Sequence, residues 1–258
     1  MFVYEKKLQY PVRIANPNPQ LAAIIISQYG GPDGELGASL RYLSQRYAMP
    51  YPELKGLLTD IGTEELGHLE MVGTIVHQLT RTLTQEQIES AGFASYFVDH
   101  TAGVYPQAAS GAPWSAATMA VTGDPMADLT EDLAAEQKAR VTYDNILRIS
   151  DDPDVNDAIR FLREREIVHF QRFGEAVELL RQRLDERNRA QKSAFDPTTS
   201  APSARLRRSS SSGGRQPSRS PVTRSASRSN PPPRASPPGY CANGISSPVS
   251  CAPPARSR

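Results

Sequence analysis

The first 240 residues of this chain contain no cysteine, and the two that it has, Cys241 and Cys251, lie close to its last residue. A disulfide framework is therefore excluded for nearly the whole chain, along with thiolate metal sites and cysteine nucleophiles, in keeping with a reducing compartment. Long hydrophobic runs are missing too. The longest aliphatic run, Leu21 to Ile26, falls far short of the roughly 20 apolar residues of a membrane-spanning helix. The opening MFVYEKKLQYPVRI lacks the apolar stretch of a secretory signal. These absences predict a soluble protein, cytoplasmic at synthesis, with no membrane partner.

Acidic residues are absent after Asp196, where ten arginines follow. Since the whole chain carries a formal net charge of +1, residues 1–196 hold about −9. The near-neutral total thus hides an acidic body and a basic tail. Residues 1–190 read as one globular domain, long enough to bury a single core. Residues 191–258 are rich in Ser, Pro and Arg, with Arg207-Arg208 followed by Ser209 to Ser212. That composition cannot build a core and predicts disorder. Basic charge without interleaved aromatics argues against a nucleic-acid arm and leaves an anionic surface or an acidic protein as the functional reading.

What the body does contain is helical punctuation. One helical stretch runs from Pro19 to Tyr47, broken or restarted at Gly30-Gly31-Pro32-Asp33, and a second from Pro52 to Leu79. The third and fourth open on the same signal, Asp124-Pro125 and Asp152-Pro153. There the Asp caps free N–H groups and the Pro takes the first helical position. They are expected to end near Ile149 and near Arg187 to Arg189. Short links around Met49-Pro50 and Ser150 to Asp152 make two antiparallel hairpins, joined by a long crossover from Arg81 to Gly123. This is the ferritin-like arrangement, an all-α four-helix bundle with one long crossover. A structureless loop of that length is uncommon, so the crossover is expected to pack on the bundle or on a neighbouring subunit.

The most informative pattern occurs twice, at an offset of 101 residues: Glu35, Tyr42, Glu65 and His68, then Glu136, Tyr143, Glu166 and His169. In each copy a lone Glu precedes Glu-x-x-His by thirty residues. One Glu from the first helix of a hairpin and a Glu/His pair from the second, doubled, make the donor set of a dinuclear metal site. Periodicity points these donors inward. Leu58, Ile61, Glu65, His68, Val72, Ile75 and Leu79 share one helical face, as do Ile159, Leu162, Glu166, His169, Phe173, Ala176 and Leu180. The third helix gives Leu129, Leu133, Glu136, Arg140, Tyr143 and Leu147. Carboxylates gathered in an apolar interior must take up protons or find positive charge, and two divalent cations supply it. A single Glu-x-x-His is an ordinary surface pair; two on apolar stripes with matched partners are not.

Tyr42 and Tyr143 fall two turns after Glu35 and Glu136. They either hydrogen-bond those carboxylates or serve as core aromatics. Arg140, one turn beyond Glu136, either pairs with a donor carboxylate, lines a substrate path or sits on a wet face. His77 lies off the apolar line, His100 sits in the crossover, and neither is given a role.

The segments YEKKLQYPV, QYGGPDGELGASLRYLSQRY, LLTDIGTEELGHLEM, GDPMADLTEDLAAEQKAR and ISDDPDVNDAIRFLREREIVHFQRF resemble the manganese catalase family, and within it the compact catalase-like proteins of bacterial spore coats. The resemblance spans most of residues 1–187 and stops before the tail. It implies that Glu35 and His68 hold one manganese and Glu136 and His169 the other, with Glu65 bridging. The repeat by itself would make Glu166 a second bridge. The resemblance instead places Glu166 just outside the ligand set, as the catalytic proton acceptor. Ala135 stands where some members carry an arginine that limits access.

The implied reaction is 2 H2O2 → 2 H2O + O2 on two manganese ions per chain, by a homo-oligomer that associates with other coat proteins. Carboxylates and imidazoles suit iron as well as manganese, so the metal comes from the resemblance. Two alternatives remain open at this point: a ferritin-like di-iron oxidase or storage protein, and a structural coat protein with little activity.

Overall fold

The computed structural model describes residues 4–101 and 103–194. The disorder expected after residue 190 falls, from residue 195 onward, outside them. Seven α-helices form among the described residues: α1 Pro19–Gly30, α2 Glu35–Gln45, α3 Pro52–Thr80, α4 Gln85–Ser90, α5 Ala94–His100, α6 Pro125–Ile149 and α7 Pro153–Ala194. No strand is formed there, only an isolated bridge between Gln107 and Pro113. No helix among them is long and apolar enough to cross a membrane.

The helix starts follow the local chemistry. Asp124 accepts from the N–H groups of Met126 and Ala127 at 3.0 and 2.9 Å, and Asp152 from those of Asp154 and Val155 at 2.9 and 3.4 Å. Asn18 caps α1 the same way. The first predicted stretch breaks where expected, the chain turning at residues 31–34 and restarting as a second helix. A Cβ at Gly34 would lie 2.6 Å from the Ser27 carbonyl oxygen, so the restart is open only to glycine. α7 runs to Ala194, beyond the expected end, its last turns exposed.

α1 with α2, α3, α6 and α7 are the four members of the bundle, and its interior is layered. One apolar cluster contains Ile25, Ile26, Met71, Val72, Ile75, Leu79, Ile146, Ile159 and Leu162; the other contains Leu54, Leu58, Ile61, Leu129, Phe173, Ala176 and Leu180. Along α3, Glu65 and His68 fall between Ile61 and Met71. Along α7, Glu166 and His169 fall between Leu162 and Phe173. The polar side chains thus form a middle layer closed by hydrocarbon at both ends.

The predicted faces of α3 and α7 are buried at every named position. α6 differs: Leu129, Glu136 and Tyr143 are buried, but Leu133, Arg140 and Leu147 only half so. Asp128, Asp132, Ala135, Ala139 and Ile146 take the inner positions. The two alanines let α6 approach its neighbours closely, which rotates the helix from the face that hydrophobicity alone selects.

The crossover folds back onto its own bundle through α4, α5 and a 3-10 turn at Ala116–Thr118. Phe93 and Tyr96 enter the first apolar cluster. Ala109 N–H donates to Ser27 Oγ at 2.7 Å, Gln45 Nε2 donates to the Ala120 carbonyl at 2.8 Å, and Asp128 accepts from Thr122 and Gly123. An N-terminal strap spans α3 and α7, with Gln78 bonded to Val12 and Ile14 and Tyr10 stacked on Phe161 at 4.7 Å.

Candidate metal centre

Glu35 is the first residue of α2, where the helix N-terminus favours a carboxylate. Glu65 and His68 lie one turn apart on α3, Glu136 lies in mid-α6, and Glu166 and His169 lie one turn apart on α7. All six predicted site residues meet in the middle layer, and none is more than 2% exposed.

Glu65 is the centre of the arrangement. Its Oε2 lies 2.7 Å from His68 Nδ1 and its Oε1 lies 2.8 Å from His169 Nδ1. Glu35 Oε2 is 3.8 Å from His68 Nδ1, and Glu136 Oε2 is 3.7 Å from His169 Nδ1. The imidazole rings are 5.5 Å apart and 21° from parallel. Two matching nests result, Glu35 with His68 and Glu136 with His169, and Glu65 presents one oxygen to each. Glu166 Oε1 lies 3.8 Å from His68 Nδ1. One donor atom from each of Glu65, His68, Glu166 and His169 can be chosen so that all lie within 4.8 Å of one another.

The electrostatics call for cations. Glu65 Oε1, Glu136 Oε2, Glu166 Oε1 and His169 Nδ1 are buried without a hydrogen-bond partner; the 2.8 Å approach between Glu65 and His169 is out of line for one. Burial, then repulsion from Glu35, Glu136 and Glu65, pushes the Glu166 carboxyl well above its usual range. Burial and Glu65 push Glu35 up to about 7. Burial would push Glu65 up as well, but the charges of His169 and His68 outweigh it and hold Glu65 below the usual range. His169 is pushed up to about 12 and His68 well above its ordinary value; burial opposes both shifts, and Glu65 overcomes it. Without metal, the centre borrows protons as counter-charge. Oxygen and imidazole donors that are buried, crowded and unpartnered suit divalent cations.

The tyrosines are the one exchange of partners relative to sequence spacing. Tyr42 donates to Glu136 Oε1 at 2.5 Å, and Tyr143 donates to Glu35 Oε1. Each hydroxyl serves the carboxylate of the other hairpin. Two turns along one helix is about 11 Å, further than a tyrosine side chain reaches, whereas the facing helix is within reach. Replacing Tyr143 with Phe is expected to weaken metal binding about ten- to a hundredfold with helical content unchanged. An unchanged affinity, measured by competition with a chelator, would reduce Tyr143 to a packing residue.

Arg140 takes no part in the centre: it pairs with Asp144 at 2.6 Å and with Gln137. His77 is exposed, and His100 stacks on Tyr105 with centroids 4.1 Å apart. A residue that sequence reasoning passed over is Glu64. Its Oε1 and Oε2 lie 3.6 and 3.2 Å from Nε2 of His68 and His169, and Arg165 grips it with contacts of 2.7 and 3.2 Å. The available signal was its position one turn before His68 and its repeat partner, Arg165. Charge inverts at that position while the rest of the motif repeats.

A four-helix bundle with one long crossover and a buried Glu/His cluster in its middle layer is a ferritin-like metalloprotein. Residues 1–195 match the family of manganese containing catalases. The chain belongs to that family. It is 56% identical to Protein CotJC of Bacillus subtilis (strain 168) over 187 residues, 72% of this chain and 98% of that protein. It is 37% identical to a probable manganese catalase of Clostridium acetobutylicum, over 69% of this chain and 80% of that one. The crystal structure of wild-type KatB, a manganese catalase from Anabaena, superposes with a TM-score of 0.65 at 34% identity, covering 70% of this chain and 81% of KatB.

Proposed function

We propose that the chain is a non-haem catalase that disproportionates hydrogen peroxide to water and oxygen on two manganese ions. Glu35 and His68 would hold one ion, Glu136 and His169 the other, and Glu65 would bridge them. The observation that carries this reading is Glu65, whose two carboxylate oxygens each face a different histidine Nδ1 at 2.7 and 2.8 Å.

The reaction needs two electrons and two protons to leave one peroxide as oxygen is formed, and to reach a second peroxide as its O–O bond breaks. Manganese, when bound, would supply the electron storage. The remaining tasks belong to the protein. Glu166 is the proton carrier: its carboxyl is pushed up by burial and by three neighbouring carboxylates, and it lies beside the nests with a free Oε1. Tyr42 and Tyr143 hold Glu136 and Glu35 in place. The apolar clusters above and below exclude bulk water. Ala135, buried before Glu136, adds no charged side chain to the approach.

The near-complete overlap with CotJC supports a place in the compact branch of the family. With it goes, as part of the proposal, a homo-oligomer associated with coat proteins. The test is elemental analysis of protein purified without chelator, with oxygen release from peroxide followed on the same sample. About two manganese ions per chain with oxygen release is the expected result. Two iron ions without oxygen release would point instead to a ferritin-like oxidase, and no bound metal to a structural protein.

A further inference from the structure

The two histidine rings are held between adjacent residues of α3. Glu65 faces both Nδ1 atoms, and Glu64 is the carboxylate beside both buried Nε2 atoms, at 3.6 and 3.2 Å, neither of which has a hydrogen-bond partner. Glu64 is itself pinned. Arg165 Nε donates to its Oε1 at 2.7 Å and Nη2 to its Oε2 at 3.2 Å, and Gln9 donates to Oε1 at 2.8 Å.

Glu64 and Arg165 occupy the same position in the two copies of the repeat, yet they touch. Equivalent residues meet only where the two hairpins cross their local two-fold relation. A side chain at that place is close to both rings, so one carboxylate can serve two histidines. A second glutamate there would bring two negative charges together, and the other copy supplies the cation instead.

We propose that Glu64 and Arg165 are a positioning pair that orients both imidazoles at once, turning each Nδ1 toward the metal nests. The proposal rests on the reading of His68 and His169 as metal ligands. A carboxylate on the outer nitrogen of a metal-bound histidine fixes the tautomer and ring plane and strengthens the donor. Here one such group does so for two ligands. Because the pair straddles the two-fold relation, its members are exchangeable: an arginine at 64 and a glutamate at 165 would still put a carboxylate between the two Nε2 atoms.

The experiment uses the full chain with manganese as probe and compares wild type, Glu64→Gln, E64R, R165E and the double exchange E64R/R165E. Manganese affinity is expected to fall about ten- to a hundredfold in E64R and less in Glu64→Gln. The double exchange should return to within a few-fold of wild type. A pair with only a structural role would restore thermal stability in the double exchange while leaving manganese affinity lost, and that outcome overturns the proposal. So does an unchanged affinity in Glu64→Gln, the isosteric variant that keeps the test informative if the arginine variant fails to fold. In the metal-free protein, the side-chain 15N signals of both histidines should shift together in Glu64→Gln; a shift in neither ring also overturns it. Affinity is read independently of turnover. A wild type that binds manganese without releasing oxygen removes the catalase reading and leaves this one standing.

Discussion

Replacing Glu65 with Ala is expected to abolish manganese binding and oxygen release together. Among the described residues Glu65 alone presents an oxygen to the Nδ1 atom of each histidine, and its removal leaves two imidazoles facing each other with Glu35 and Glu136 nearly 4 Å away. Two divalent cations held side by side in a low-dielectric interior would repel strongly, and a carboxylate shared by both would offset that repulsion. The loss should exceed the ten- to hundredfold typical of an outer hydrogen bond to a ligand. Glu166→Gln is the informative contrast. The amide keeps the shape but carries no acid proton, so manganese content should stay near wild type while turnover falls about a hundred- to ten-thousandfold. Elemental analysis and oxygen release on both variants separate holding metal from moving protons. Loss of metal in Glu166→Gln would make Glu166 a ligand, as the bare repeat suggests.

Removing the metal should reverse the way stability depends on pH. In the metal-free protein Glu35 is pushed up to about 7, and an unfolded glutamate titrates near ~4.3. Between these values the folded state keeps a proton that the unfolded state has released. The stability this contributes is full below the unfolded value and is lost as pH rises through the folded one. For Glu35 the loss is on the order of 3 kcal/mol. His68 and His169, shifted upward, act in the same direction above pH ~6.5. Glu65 and Glu64, held low, act oppositely: their contribution is present above ~4.3 and is lost as pH falls further. Chelator-treated protein should therefore be most stable near pH 5 and melt at lower temperature by pH 8. Manganese needs deprotonated rings and ionised carboxylates, so its binding releases protons and strengthens with pH. Thermal unfolding of both forms from pH 5 to 8 checks this, and a chelator-treated protein that gains stability over that range would contradict the charge balance described here.

The elements that were legible in the sequence are those whose cause is local. Asp124-Pro125 and Asp152-Pro153 start helices because the cap and the proline act within one turn. The faces of α3 and α7 were legible because leucine, isoleucine and phenylalanine recur at helical spacing on either side of Glu and His. The four site residues on those two helices came together for the same reason. What was hidden depends on pairing across space. The tyrosines lie on the expected helices but reach the opposite hairpin, which linear spacing does not report. Glu64 stays out of view until its counterpart Arg165 is seen to meet it. On α6 the inner face carries Asp128, Asp132 and two alanines, so a hydrophobic stripe was a poor guide; the small alanines and the hydrogen bonds of Asp128 mark that face.

The exchange of tyrosine hydroxyls has a consequence for how such a chain can change. Neither hairpin owns a complete set of parts. The carboxylate at the head of α2 is steadied from α6, and the one on α6 is steadied from α2. A shift of one hairpin by a single residue would disturb the other's carboxylate before its own. A change in either copy would therefore be felt by both.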